Sequence, residues 1–166
     1  MRKPILIFDF NKTSDISDWK IVDDVVMGGR SNGKFYLNES GNGIFEGEVS
    51  LENNGGFSSL HYTFEKKNIA DYKKVKIHLK GDGKRYQFRV KSNKSDRHSY
   101  VSYFRASGEW ETITLDLSDM IPTFRGRRIT ELPNYEAKKM VEIAFLIGNK
   151  KEQNFKLEID KIELVK

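Results

Sequence analysis

Three stretches of this chain combine glycine with side chains that make directed hydrogen bonds. They are Asp23-Asp24-Val25-Val26-Met27-Gly28-Gly29-Arg30-Ser31, Leu51-Glu52-Asn53-Asn54-Gly55-Gly56-Phe57-Ser58-Ser59 and Thr123-Phe124-Arg125-Gly126-Arg127. Carboxylates, amides, hydroxyls and guanidinium groups either hold a polar ligand or lock a loop onto itself. Both readings suit these stretches. As turns, they use glycine for positive φ, and Asn54-Gly55 is a strong hairpin signal. None fits a phosphate-cradling glycine pattern or obviously opens a helix whose amides would bind phosphate. Asp23 and Asp24 are adjacent, so in a strand they point to opposite sides, which is poor geometry for a carboxylate pair.

Recognisable catalytic and metal patterns are missing. His61, His78 and His98 lie far apart, and none belongs to a metal-binding motif. His78 sits on the polar side of a strand pattern and reads as a solvated surface histidine. Ser58, Ser59 and His61 put hydroxyls near an imidazole, but there is no nucleophile elbow around them. The chain has no cysteine, so disulfides, thiolate zinc sites and cysteine nucleophiles are excluded. No catalytic residue, metal or cofactor is assigned, and an enzyme is the last-ranked reading.

The elements that must carry these stretches follow from period-two alternation. Val75, Ile77 and Leu79 alternate with lysines and His78. Tyr86, Phe88 and Val90 alternate with Arg85, Gln87, Arg89 and Lys91. Phe45, Val49 and Leu51 share one parity, as do Val141, Ile143, Phe145 and Ile147. Each such strand has one buried and one wet face, the mark of antiparallel sheets. Further strands are expected at 5–10, 18–23, 34–39, 57–64, 98–106, 110–117 and 154–165. In the last, the apolar parity shifts between Ile159 and Ile162, which predicts a bulge, bend or change of sheet near Asp160–Lys161. Residues 118–139, with Pro122 and Pro133, read as a long irregular connection with one short helix around 135–140. The fold class is therefore all-β: a two-sheet antiparallel sandwich.

With 166 residues, the chain is expected to form one domain over 1–166. Its hydrophobic content of 37% and aromatic content of 12% rule out a disordered chain. The net charge of +5 comes with lysines spread over the polar sides of many strands, so no nucleic-acid partner is expected; Arg125, Arg127 and Arg128 are a local cluster only. The opening MRKPILIFDF has too short an apolar run for a signal peptide, and no run approaches the length of a membrane span. A cytoplasmic location is the expectation.

Residues 23–31, followed by Gly47-Glu48-Val49-Ser50-Leu51-Glu52-Asn53-Asn54-Gly55-Gly56-Phe57, closely resemble the complex I intermediate-associated protein 30 family. Gly81-Asp82-Gly83 before Tyr86, Trp110 at the start of a strand and Phe124-Arg125-Gly126 fit the same pattern. The resemblance runs from about Trp19 to the last strand. It implies a galactose-binding-like jelly roll and a non-enzymatic assembly-factor role, with respiratory-complex subunits or assembly factors as partners. Transferred residue by residue, it points to Asp24, Arg30, Ser31, Asn53, Asn54 and Arg125 as a ligand-binding polar lining. Gly28, Gly29, Gly55 and Gly56 would shape the loops. Met27, Phe57 and Trp110 read as core or loop anchors, and Asp82 as a turn cap. An internal network holding the loops together is the competing reading of the same polar groups. A carbohydrate-binding module is the alternative function. The three loop segments are expected to meet at one end or face of the sandwich.

Overall fold

The alternating segments become strands, and the turns between them fold the chain into two layers. The computed structural model describes residues 3–24 and 29–166. Its strands are β1 (Ile5–Asp9), β2 (Trp19–Asp23), β3 (Asn32–Leu37), β4 (Gly43–Val49), β5 (Ser58–Asn68), β6 (Lys74–Lys80) and β7 (Arg85–Lys91). They continue with β8 (Ser99–Arg105), β9 (Trp110–Asp116), β10 (Ile121–Phe124), β11 (Arg127–Arg128), β12 (Lys139–Ile147) and β13 (Gln153–Val165). The first sheet runs β3-β4-β13-β6-β9, with β1 also on β13; the second runs β11-β10-β8-β7-β12-β5-β2. Every pairing is antiparallel, as the alternation requires. The chain is thus an antiparallel jelly-roll sandwich. The C-terminal strand enters between β4 and β6, and β12 between β5 and β7, so both sheets close only through long-range pairing.

One parity of each strand fills the space between the sheets. Val75, Ile77 and Leu79 are fully buried against Phe88, Phe145 and Leu157. An aromatic group of Phe8, Phe10, Trp19, Phe35 and Tyr62 belongs to the same core, with Trp19 and Tyr62 stacked at 4.6 Å. Aromatic pairs of this kind add to area burial.

The parity shift in β13 is a bulge. Ile159 pairs with Leu79 and Lys161 with His78, leaving Asp160 as an extra residue. Phe155, Leu157 and Ile159 before it, and Ile162 and Leu164 after it, therefore all face the core. His78 lies on the solvated outer face, its side chain 41% exposed, as its parity requires. The bulge adds a partner: Asp160 turns its carboxylate to His78 Nδ1 at 2.7 Å. Trp110 is not a core anchor. It is 40% exposed, and its ring lies 5.0 Å from the His78 ring on the outer surface of the first sheet.

Two expectations fail in the long connection. It contains β10 and β11, although Pro122 sits within β10; the strand is short and its outer partner has only two residues, so the missing N–H is tolerated. The short helix at 135–140 does not form. Tyr135 is buried, its N–H donates to the Met120 carbonyl at 2.9 Å, and Ala137 has φ 56, outside the helical region. The Asn54-Gly55 hairpin signal also misleads. The segment is a 3-10 turn at Glu52–Asn54 that carries the chain from β4 in the first sheet to β5 in the second.

Deleting Asp160 leaves Ile159 and Ile162 in regular alternation, so this variant is expected to retain a cooperative urea transition. Inserting one alanine after Asp160 keeps the parity but slides the strand by two residues, so alanine takes the place of Ile162 beside Ile77 and Leu164 passes the end of β6. It is expected to cost roughly 2–5 kcal/mol, the worth of leaving alanine where a large aliphatic side chain was buried. Equal urea midpoints for the two variants would refute the bulge reading.

Candidate functional site

Two of the three glycine-bearing stretches meet, and one carboxylate joins them. Asp24 is 1% exposed and follows the last residue of β2. One oxygen accepts the Ser31 N–H at 2.8 Å. The other accepts the Ser31 hydroxyl at 2.5 Å and the N–H groups of Gly56 at 2.6 Å and Phe57 at 3.2 Å. The backbone seals the same junction: Gly29 N–H donates to the Asp24 carbonyl and Asp24 N–H to the Phe57 carbonyl. Ser31 Oγ in turn accepts the Ser50 N–H at 2.9 Å. Burial alone would raise the Asp24 carboxyl, but its donors from Ser31, Gly56 and Phe57 outweigh that, and the net direction is down.

The glycines serve this carboxylate. A Cβ on Gly29 or Gly55 would run into the Asp24 side chain, and Gly56 has φ +137 where its N–H meets the carboxylate. Close approach is therefore the main requirement, more than the positive φ expected of a turn. Gly28, like Met27, lies outside the described residues. Asp23 points the other way, as its neighbour position demands. It accepts the Gly33 N–H from β3 at 2.8 Å and the Ser58 hydroxyl from β5, tying the two sheets together.

Of the ligand-binding residues expected from the sequence, Asp24 and Ser31 are thus buried members of an internal network. Arg30 is exposed and pairs with Glu52 at 3.6 Å on the rim of the same junction. Asn53 and Asn54 lie in the adjoining 3-10 turn, Asn53 with φ 56. Arg125 does not join them. It sits with φ 50 beside Gly126 at φ 78 in the two-residue turn between β10 and β11, with its guanidinium 5.3 Å from the Phe124 ring. That pair of positive φ values is the signature of a hairpin turn matched to sheet twist. In the second sheet β10 lies five strands from β2, roughly 24 Å at the usual strand spacing. Arg125 also lies at the opposite end, because β10 leads away from the edge where Asp23 meets Ser58. The three stretches therefore do not share one site. Asp82 does cap its turn, accepting the Lys84 N–H at 3.2 Å, and it also holds the Tyr86 hydroxyl and the Lys156 N–H.

A second polar arrangement, which strand alternation hides in the sequence, lies on the outer face of the second sheet. Register places Lys20, His61, Ala144, Arg89, Val101 and Ile121 in one row across β2, β5, β12, β7, β8 and β10. Ser59, Gln87 and Tyr103 flank it on one side, and Thr63, Glu142 and Lys91 on the other. Ser59 Oγ is 2.9 Å from His61 Nε2, and His61 Nδ1 is 3.4 Å from Glu142. Those are the distances of a hydrolytic triad. The hydroxyl, however, is 1% exposed and donates its proton to the Val22 carbonyl at 2.6 Å. With its proton on that carbonyl and no access from solvent, Ser59 is not set up for attack, so this constellation supplies no activated nucleophile. Burial pulls the Glu142 carboxyl up, but His61, Thr63 and the charge of Lys91 outweigh it and hold it low.

The family model described as complex I intermediate-associated protein 30 matches residues 8–159. A mouse (Mus musculus) protein named complex I intermediate-associated protein 30, mitochondrial, is 22% identical over 184 residues. That match covers 96% of this chain and 56% of the mouse protein, so the chain spans little more than half of that relative. Among solved structures, the family 11 carbohydrate-binding module of Clostridium thermocellum, in complex with a beta-1,3-1,4-mixed-linked tetrasaccharide, superposes with a TM-score of 0.70. The identity is 16%, covering 98% of this chain and 95% of that one. An exo-beta-agarase superposes with a TM-score of 0.63 at 11% identity, covering 96% of this chain and 25% of the agarase. These likenesses show the fold.

Asp24→Ala strips four donors of their acceptor and is expected to cost about 3 kcal/mol in a urea titration. The lowered Asp24 and Glu142 carboxyls contribute stability above the ordinary carboxylate range, and that stability fades as pH falls through their folded values. The urea midpoint should therefore drop between about pH 5 and pH 2, less steeply in Asp24→Asn. Parallel profiles for the two proteins would contradict the network.

Proposed function

The chain belongs to the complex I intermediate-associated protein 30 family, and from that premise we propose that it is a non-enzymatic binding module of assembly-factor type. Its partner is a protein, with respiratory-complex subunits or their assembly factors as the class. One observation carries this reading. Asp24 joins Ser31 to Gly56 and Phe57 at one end of the sandwich, and the residues left outward on the rim of that junction suit a protein contact. Leu51 is 42% exposed beside the Arg30–Glu52 pair. An open groove lined by Arg30, Glu48, Ser50, Glu52, Glu152 and Gln153 adjoins it. An apolar anchor with a polar, mostly acidic surround favours a partner surface that offers an apolar pocket and basic side chains. The absence of cysteine suits a reducing compartment, and the cytoplasm is the proposed location.

A carbohydrate ligand is the second reading. It is favoured by the likeness to carbohydrate-binding modules and by Tyr103, 54% exposed beside Gln87 on the outer face of the second sheet. An exposed ring flanked by an amide is suited to a sugar's apolar and hydroxyl faces.

A photo-crosslinking residue at position 51, expressed in the source cells, is expected to capture a respiratory-complex subunit or assembly factor. The same residue at position 112 on β9 is not. Arg30→Glu with Leu51→Arg should weaken co-purification of that partner at least about tenfold while leaving the melting temperature within a few degrees. Capture from position 112 and not from 51 would sink the proposal for this rim.

A further inference from the structure

The guanidinium of Arg89 is half-buried on the outer face of the second sheet. It occupies the middle of the central row, between Ala144 on β12 and Val101 on β8, which are 2% and 4% exposed. Its Nε is buried without a hydrogen-bond partner, and none of its donors has a partner among the described residues. Burial lowers its affinity for its proton, while Tyr103 and Glu142 only partly offset that. Three other basic side chains nearby have partners. Arg85 lies over the Tyr103 ring at 4.5 Å and reaches Asn149, and Arg105 donates to the Gly83 carbonyl at 2.7 Å. Lys91 donates to the Asp96 carbonyl at 3.0 Å.

The neighbouring carboxylate is not available to Arg89. Glu142 gives one oxygen to the Thr63 hydroxyl at 3.0 Å and turns the other to His61 at 3.4 Å. In the three rows around Arg89, Glu142 is the one acid, against Lys20, Arg89 and Lys91. A half-buried cation with no hydrogen-bonded counter-ion is costly, and replacing such a group by an apolar one is often stabilising. Retaining it makes physical sense where something outside the fold completes it. The floor beside it, Ala144, Val101 and Leu146, is small or apolar, so it leaves the guanidinium as the directing group. Gln87 and Tyr103 in the next row offer further hydrogen bonds to a polar ligand.

We propose that Arg89 anchors a ligand site on the outer face of the second sheet and takes the carboxylate of a small polar molecule. A guanidinium offers a planar donor fork that matches a carboxylate in two parallel hydrogen bonds, which an ammonium does not. The carboxylate can belong to a small organic acid or to an acidic saccharide. This site is separate from the glycine-loop rim and does not rest on the protein-partner reading.

The test uses the whole chain with succinate, trigalacturonate and a neutral glucan tetrasaccharide, each read by thermal shift and calorimetry. At least one carboxylate probe is expected to raise the melting temperature at about 10 mM. Arg89→Met should weaken that binding at least about tenfold, and Arg89→Lys should restore only part of it. Without ligand, Arg89→Met should melt at the same temperature as the native protein or a few degrees higher, because it removes a desolvated, unpartnered cation. Response to trigalacturonate alone identifies the acidic saccharide; response to succinate identifies the organic acid. Three results would each overturn the proposal: no carboxylate probe binds, Arg89→Met binds as the native protein does, or Arg89→Met fails to fold and so marks the guanidinium as structural. Neutral tetrasaccharide bound equally by the native protein and Arg89→Met, with no carboxylate response, would overturn it too, while leaving the carbohydrate reading in place.

Discussion

Everything distinctive at the glycine-loop end depends on one buried carboxylate. Asp24 gathers four donors from two segments that are more than twenty residues apart in the chain. A buried carboxylate with that many donors is satisfied; one with fewer would be a large destabilising charge. The neighbouring sequence is therefore constrained to whatever lets backbone come within hydrogen-bond distance. That is why Gly29 and Gly55 carry no side chain and why Gly56 adopts a backbone conformation open to glycine. Asp23 extends the constraint from the loops to the sheets by fastening β3 and β5 together.

The arrangement separates two kinds of polar group that look alike in composition. Asp23, Asp24 and Ser31 are consumed by the fold. Arg30 and Glu52 remain on the surface that the fold creates, and Arg89 remains on a different surface with its donors unmatched. Interior groups set the shape of the rim, and exterior groups determine what the rim and the sheet face can meet. A substitution at Asp24 should act on stability first.

Family and fold carry different weights. The family match spans residues 8–159, so it speaks to the scaffold as a whole. The superposition on carbohydrate-binding modules at low identity speaks to architecture, because a jelly-roll sandwich hosts many unrelated sites. The triad-like distances of Ser59, His61 and Glu142 make the same point at residue scale. The spacing is that of a hydrolase, but the hydroxyl proton belongs to a main-chain carbonyl.

The sequence by itself determined the all-β class, the positions of the longer strands and the irregularity in β13. These rest on local alternation, in which each residue's face follows from its neighbour's. It also determined that Asp23 and Asp24 diverge, for the same reason. What tertiary structure decided is which strands lie side by side. Only sheet order places Asp24 against Gly56 and Phe57 and puts Arg125 at the far corner. Only cross-strand register puts His61, Glu142 and Arg89 on one face, since these residues come from three strands separated by long stretches of chain. Trp110, the Asp160 partner of His78 and the short strands around Pro122 are not legible locally because their neighbours are distant in sequence. Pairing between distant segments is set by the closure of the whole core, and no local pattern encodes it.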